Sequence, residues 1–260
     1  MTSLSRGFAL FAALTLASPV VLAADGDGKA KTPFAVEQDE GQLRKALQEL
    51  TSPPPRQAGA HRPKDPHAAL SPDSMVRVAL QHHEEGRPAL ALETLGDALK
   101  RYPANGELLN IRGSLLLQQG QTAAALSDLE AAARATPDNP AIYVNRAQAY
   151  RRFKNESKAM ADLDKAVELA PDFVAARFNR GSMHFNAGRY KEALVDFERC
   201  AAVDPHAPPP WFNLAMTREQ LGDKPGAVSD LKRFLELTKT KEWREVAEKK
   251  LQDLAAKPKE

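Results

Sequence analysis

One cysteine, Cys200, stands in 260 residues. No disulfide can form within the chain, and its fold must rest on packing alone. A surplus of charge is missing too: 36 basic residues face 34 acidic ones, a net of +2. That balance excludes the concentrated basic face of a dedicated nucleic-acid binder. No apolar run approaches the about 20 residues of an ordinary membrane span. Catalytic signatures are also absent: there is no Gly-x-Ser-x-Gly turn, phosphate-cradling glycine loop, His-Glu-x-x-His helix or Cys-x-x-Cys pair. These absences leave an enzyme reading without a constellation of residues and imply neither cofactor nor metal.

What is present is a soluble globular mixture, 43% hydrophobic and 27% charged. The first residues are written differently. Arg6 is followed by an apolar run of about ten residues and then by Val21-Leu22-Ala23, small enough at the right places for signal-peptide cleavage after Ala23. The reading is export to the periplasm or beyond, with no integral membrane span after cleavage; an uncleaved anchor is the other reading. No cysteine lies near the cleavage point, which argues against a lipid-anchored protein.

Residues 24–71 form a flexible, proline-rich arm. Its first part, DGDGKAKTP, is too polar to bury much surface. Within 37–50, Leu43, Ala46, Leu47 and Leu50 recur at helical spacing and predict a short amphipathic helix, to pack on the protein or to dock a partner. Five prolines in the following stretch, 51–71, predict a stiff linker. His61 and His67 lie there, too isolated to be metal ligands.

The ordering feature of the chain is a ruler of four prolines, at 103, 137, 171 and 205, in the phrases KRYPAN, RATPDN, ELAPDF and AVDPHA. With that proline at position 32, five units follow: 72–105, 106–139, 140–173, 174–207 and 208–241. Position 20 is Ala91, Ala125, Ala159, Ala193 and Ala227. Position 8 is Ala79, Gly113, Ala147, Gly181 and Ala215, and position 24 is Leu95, Leu129, Leu163, Phe197 and Leu231. Position 15 is Gly86, Gly120, Gly188 and Gly222, with Lys154-Asn155 in the third unit. Small residues suit two helices that cross closely, a large apolar residue fills the space between them, and glycine ends the first helix. Each unit is therefore expected to be a helical hairpin, with helices near positions 1–14 and 17–30.

This pattern resembles the tetratricopeptide repeat, most visibly in Y143VNRAQAY150 and W211FNLAMTR218. The resemblance covers 72–241 and implies an all-α, right-handed solenoid of five helix-turn-helix repeats. The stretch 242–260, carrying Trp243, Val246, Ala247, Leu251 and Leu254 on one side, reads as a C-terminal capping helix and tail. The fifth unit has Lys239 where the proline stands elsewhere, so its second helix is expected to continue or to break there. Cys200 occupies a position otherwise filled by alanine and reads as a small buried residue; the other reading is a reactive thiol. Arg112, Arg146 and Arg180 occupy position 7, where the family has leucine, and their heads are expected to reach water or a carbonyl. The carboxylates of Asp162 and Asp164 are expected to be solvated charges on the second helices, as is the Glu198-Arg199 pair.

In this family the first helices line a concave face, reached from positions 2, 5, 6, 9, 12 and 13. The resemblance implies a peptide-binding set there: Asn145, Asn179 and Asn213 as a ladder at position 6; Phe178, Phe212 and Phe185 as exposed apolar contacts, the other reading being that they pack on neighbouring helices; and Arg151 and Arg152 for an acidic group. Asparagine carries donor and acceptor together, so a row of them can take the backbone of an extended peptide of any sequence. The chaperone-binding clamp pattern of lysine and asparagine is not reproduced at its positions. His82 and His83 adjoin on one helix and so point apart; they read as packing and face residues, not a metal pair. The expected function is an exported adaptor that holds an extended segment of an envelope protein. The alternative is a structural or self-oligomerising module, a homo-oligomer, in envelope assembly.

Overall fold

The computed structural model describes residues 70–255, and the signal, the arm and the 37–50 helix expected from sequence lie outside the described residues. Among the described residues there are eleven helices and no strand: α1 Pro72–Glu84, α2 Pro88–Arg101, α3 Gly106–Gln118, α4 Thr122–Ala135, α5 Pro140–Arg152, α6 Glu156–Leu169, α7 Val174–Asn186, α8 Tyr190–Val203, α9 Pro208–Gln220, α10 Lys224–Leu237 and α11 Lys241–Ala255. Every first helix of a hairpin has 13 residues and every second helix 14. No described helix is long and apolar enough to cross a membrane. The residues fall into two compact units, 70–162 and 163–255, divided within α6.

The same turn closes each hairpin. Position 15 is left-handed throughout, with φ of 71°, 75°, 73° and 81° at Gly86, Gly120, Gly188 and Gly222. Lys154 adopts it as well, at φ 57°, where a side chain is strained. Around each such residue two backbone bonds run back to the first helix, as from Gly120 N–H to Leu117 O and from Gln121 N–H to Leu116 O. This is the Schellman closure that lets a helix end without orphaned carbonyls.

The proline ruler has a chemical partner. In each of three units a side chain at position 4 donates to the carbonyl of the proline six residues earlier: Tyr143 Oη to Pro137 O at 2.8 Å, Arg177 Nε to Pro171 O, and Trp211 Nε1 to Pro205 O at 3.2 Å. Proline stops one helix and the donor then fixes how the next departs.

In the unit 70–162, α1 packs on α2, α2 on α3, α3 on α4 and α4 on α5. Its core is built from Met75, Ala79, Leu95, Leu108, Ile111 and Leu115 among others. Gly113 is there by necessity: a Cβ would come within 2.7 Å of Leu129 Cγ. In the unit 163–255, α7 packs on α8, α8 on α9, α9 on α10 and α10 on α11. Phe178, Phe197, Phe212, Leu231 and Phe234 fill its core.

The second helix of the fifth hairpin breaks instead of continuing. It ends at Leu237, and Thr238 is extended. Arg244 closes the exposed end by donating to the carbonyls of Leu235 and Thr238. Trp243, Leu251 and Leu254 lay α11 onto the core, Ala247 is buried, and Lys250 pairs with Glu219 at 2.8 Å. Val246 stays exposed.

The position 7 arginines depart from expectation. Their heads, partly exposed, reach a carboxylate 16 residues on, at position 23 of the same hairpin, in place of a carbonyl. Arg112 donates twice to Asp128 at 2.6 and 2.7 Å, Arg146 twice to Asp162 at 2.8 and 2.7 Å, and Arg180 twice to Asp196, at 2.8 Å each. Asp162 is buried, contrary to the expectation of a solvated charge, because this fork needs it inside. Asp164, Glu198 and Arg199 are exposed, yet each is paired, with Arg180, Arg218 and Asp172.

Candidate functional site

The face that bears position 6 differs between the units. In 70–162, Asn145 is 1% exposed and donates from Nδ2 to Asn110 Oδ1 at 2.9 Å. Asn110 stands at position 5 of the preceding hairpin, one residue before Ile111, the residue that breaks the ladder by register. It was legible only to a search allowing one residue of slack in the period. Ser114 and Leu117 on α3 and Val144 on α5 are buried beside this pair in register.

In 163–255 the asparagines lack that arrangement. Asn179, 2% exposed, donates from Nδ2 to Ala175 O at 2.8 Å, and its Oδ1 is buried with no partner. Asn213, 8% exposed, has its Nδ2 buried without a partner. The register place that Asn110 takes for Asn145 is taken for Asn213 by Phe178, which has nothing to accept with. Buried polar atoms without partners are uncommon and costly, about 1 to 3 kcal/mol each.

The phenylalanines divide. Phe178 and Phe212 follow the packing reading and not the exposed one: they are 4% and 2% exposed and belong to the core. Phe178 meets Phe197 edge-on at 5.6 Å, and Phe212 lies 5.2 Å from Phe234 and 5.5 Å from Trp243. Position 5 on these helices faces the interior of the hairpin stack, so aromatic bulk there fills space. Phe185 at position 12 is half-buried, its ring edge-on to Tyr190 at 5.3 Å.

Arg152 is exposed and donates to Leu117 O. Arg151 is half-buried, and burial lowers its guanidinium from the ordinary arginine range, with Glu156 opposing that shift. Burial also lowers His83 and His184, and the Nδ1 atoms of His82, His83 and His184 are buried without hydrogen bonds. Among the described residues, no group of three or more histidine, cysteine or acidic side chains could hold a metal ion. Cys200 is buried and its thiol is pushed up to about 12, by desolvation first and the nearby Asp196 charge second, so it stays a neutral core group.

The missed residues are Asn110 and the carboxylates Asp128, Asp196 and Asp230, and Asp162 was singled out but in the wrong role. Position 23 is aspartate in four consecutive units, each 34 residues from the last, and position 7 is arginine in three of them. That paired period was the available signal.

These hairpins and this face define a class: a helical-repeat scaffold whose business is protein interaction. Models of the tetratricopeptide repeat match residues 82–140 and 112–172, and a second such model matches 174–207. The chain is a tetratricopeptide repeat protein. Among solved structures it is similar to PilW, described as a widely conserved type IV pilus biogenesis factor, with 22% identity, coverage of 64% of this chain and 77% of that one, and a TM-score of 0.58. It is similar also to YrrB, described as a TPR protein with an unusual peptide-binding site, at 20% identity, 68% and 91% coverage and a TM-score of 0.53. A thermophilic TPR protein of Thermus thermophilus matches at 20% identity, 70% and 97% coverage and a TM-score of 0.54. At these identities the likeness concerns the fold. Among curated protein sequences, none matches this chain.

Proposed function

We propose that this protein is an exported adaptor that holds an extended segment of another cell-envelope protein against the position 6 face of its first helices. The observation that carries the reading is the pair of open polar atoms in 163–255. Asn179 keeps an acceptor, Oδ1, and Asn213 a donor, Nδ2, both buried and both without a partner. An extended backbone offers a donor and an acceptor in each residue, so one strand can answer both needs after small side-chain rotations. Half-buried Phe185 supplies an apolar contact beside them, and Asn145, Arg151 and Arg152 stand at the equivalent first-helix positions of 70–162. Phe178 and Phe212 support the face from behind.

The relatives' descriptions agree in kind, one naming a peptide-binding site and one a pilus biogenesis factor. Export rests on the residues around Arg6 and Ala23. The mode of action is binding without chemistry on the ligand. Two measurements test the reading. The mass of the protein recovered from the envelope should correspond to cleavage after Ala23; an intact N-terminus contradicts export by that route. Chemical crosslinking in the native envelope should join one protein to the wild-type chain and lose it in the Asn179→Ala, Asn213→Ala double variant. Undiminished capture by that variant contradicts the ladder.

A further inference from the structure

One hairpin turn carries a charge that the others do not. Residues 151–158, which close the hairpin of α5 and α6, set Arg151, Arg152, Lys154 and Lys158 against the single acid Glu156, a net of +3 in a chain whose whole surplus is +2. The corresponding stretches of the other hairpins, 83–90, 117–124, 185–192 and 219–226, carry −1, 0, +1 and −1. In the first of these Arg87 pairs with Glu85 beside it. Arg152, Lys154 and Lys158 are exposed, and none of the three is ion-paired among the described residues. Arg152 commits one donor to Leu117 O, and Lys158 Nζ stands 5.2 Å from the centre of the Tyr150 ring.

Phe153 sits among these cations and is 51% exposed, more than any other described aromatic residue. The backbone holds it at the closed end of the hairpin. Phe153 N–H donates to Ala149 O at 3.2 Å, Lys154 N–H to Arg151 O at 2.8 Å and Asn155 N–H to Tyr150 O at 2.9 Å. Lys154 keeps the left-handed conformation that the four other hairpins give to glycine. A side chain there works against folding, and no hydrogen bond or ion pair of its ammonium offsets the strain.

An exposed ring among unpaired cations fits a partner that is apolar and anionic at once. A lysine ammonium is a compact point charge without fork geometry, and at a turn it needs a field of negative charge more than a shaped acceptor. A bilayer with anionic headgroups has both layers: phosphates at its surface and hydrocarbon just beneath, where a ring can enter while cations stay at the headgroups. We propose that the 151–158 turn is a peripheral contact of the 70–162 unit with an anionic lipid surface. Phe153 enters the headgroup boundary, and Arg152, Lys154 and Lys158 answer the phosphates. One ring and three cations make this contact weak and reversible. It is independent of the peptide-binding reading, since Phe153 and Lys154 stand at positions 14 and 15, outside those assigned to the concave face.

The test uses the full chain as recovered from the envelope and vesicles of phosphatidylcholine, alone or mixed with phosphatidylglycerol, with flotation as the readout. Wild-type protein should float with the mixed vesicles, stay behind with the neutral ones, and be released by salt of about 1 M, which screens the headgroups. Lys154→Gly should weaken vesicle binding roughly 5-fold, the loss of one surface cation, while its melting temperature rises. Phe153→Ser should weaken it roughly 10-fold at an unchanged melting temperature. Equal binding to both kinds of vesicle, or binding that survives both replacements, overturns the inference. Weaker binding found only in a variant whose melting temperature has fallen overturns it as well. Absence of flotation with the mixed vesicles overturns it and turns the search to an acidic protein surface.

Discussion

The two compact units use one hairpin plan with different wiring. In 70–162 each position 7 arginine serves its own hairpin: Arg112 holds Asp128 and Arg146 holds Asp162. In 163–255 the position 7 arginine Arg180, and Arg218 at position 11, also reach a carboxylate on the preceding second helix. Arg180 holds Asp196 on α8 and Asp164 on α6, and Arg218 holds Asp230 on α10 and Glu198 on α8. The asparagines run the other way, satisfied in 70–162 by the Asn110–Asn145 bond and left open in 163–255. The unit with cross-braced hairpins is the one that carries open polar atoms. Bracing of this kind can hold polar groups in place without their own hydrogen bonds.

The sharpest break of this comparison is at Asp196, whose carboxylate is 1% exposed and accepts from both Arg177 and Arg180. Asp196→Ala removes the buried acceptor shared by two guanidinium groups, leaving Arg180 only Asp164 and Arg177 only Pro171 O, and should cost about 3 to 5 kcal/mol, as breaking a buried pair does. Asp128→Ala strands one and should cost less, about 2 to 3 kcal/mol. Urea unfolding followed by circular dichroism compares them; equal losses would mean that the second arginine on Asp196 adds nothing. Next come the asparagines. Asn145→Ala leaves Asn110 Oδ1 without its donor and should cost about 1 to 2 kcal/mol, whereas Asn213→Ala removes an unpaired donor and should change stability by less than about 0.5 kcal/mol. A large loss in Asn213→Ala would show that its amide is structural.

Smaller still is the turn at Lys154. Lys154→Gly relieves a left-handed side chain and should raise stability by about 0.5 to 1 kcal/mol, and Gly120→Lys should lower it by a similar amount. The smallest effect is with pH. Burial lowers His184, followed by the charge of Arg189, so the unfolded chain binds the proton better. Stability should therefore be full above the ordinary histidine value of 6.5 and fall as pH drops below it. His184→Gln should flatten that part of the pH profile of the melting temperature; an unchanged slope would assign it to other groups.

Much of this was legible in the sequence, because repetition carries the signal many times over. The prolines, the position 20 alanines and the position 15 glycines each mark a backbone or close-packing demand that few residues meet, so hairpin limits could be placed without knowing a single contact. Pairing was harder to see. Asp162 and Asp164 look alike in sequence, yet one is buried in an arginine fork and the other is exposed, since helix register turns them some 200° apart. Phe178 and Phe212 adjoin the ladder, so sequence alone leaves contact and packing open; one residue of helix, about 100°, separates position 5 in the core from position 6 on the face. The Asn110–Asn145 bond escaped the ruler because it joins positions 5 and 6 across units.

The central claim, a ligand held on the first-helix face of 163–255, is tested most directly by a photocrosslinking residue placed at Ser182 on α7 and, separately, at exposed Val195 on α8. After irradiation in the native envelope, the account predicts a crosslink from Ser182 to one envelope protein, absent at Val195 and lost when Asn179 and Asn213 are both alanine. Equal crosslinking from the two positions, or a Ser182 product that survives the double replacement, would contradict it.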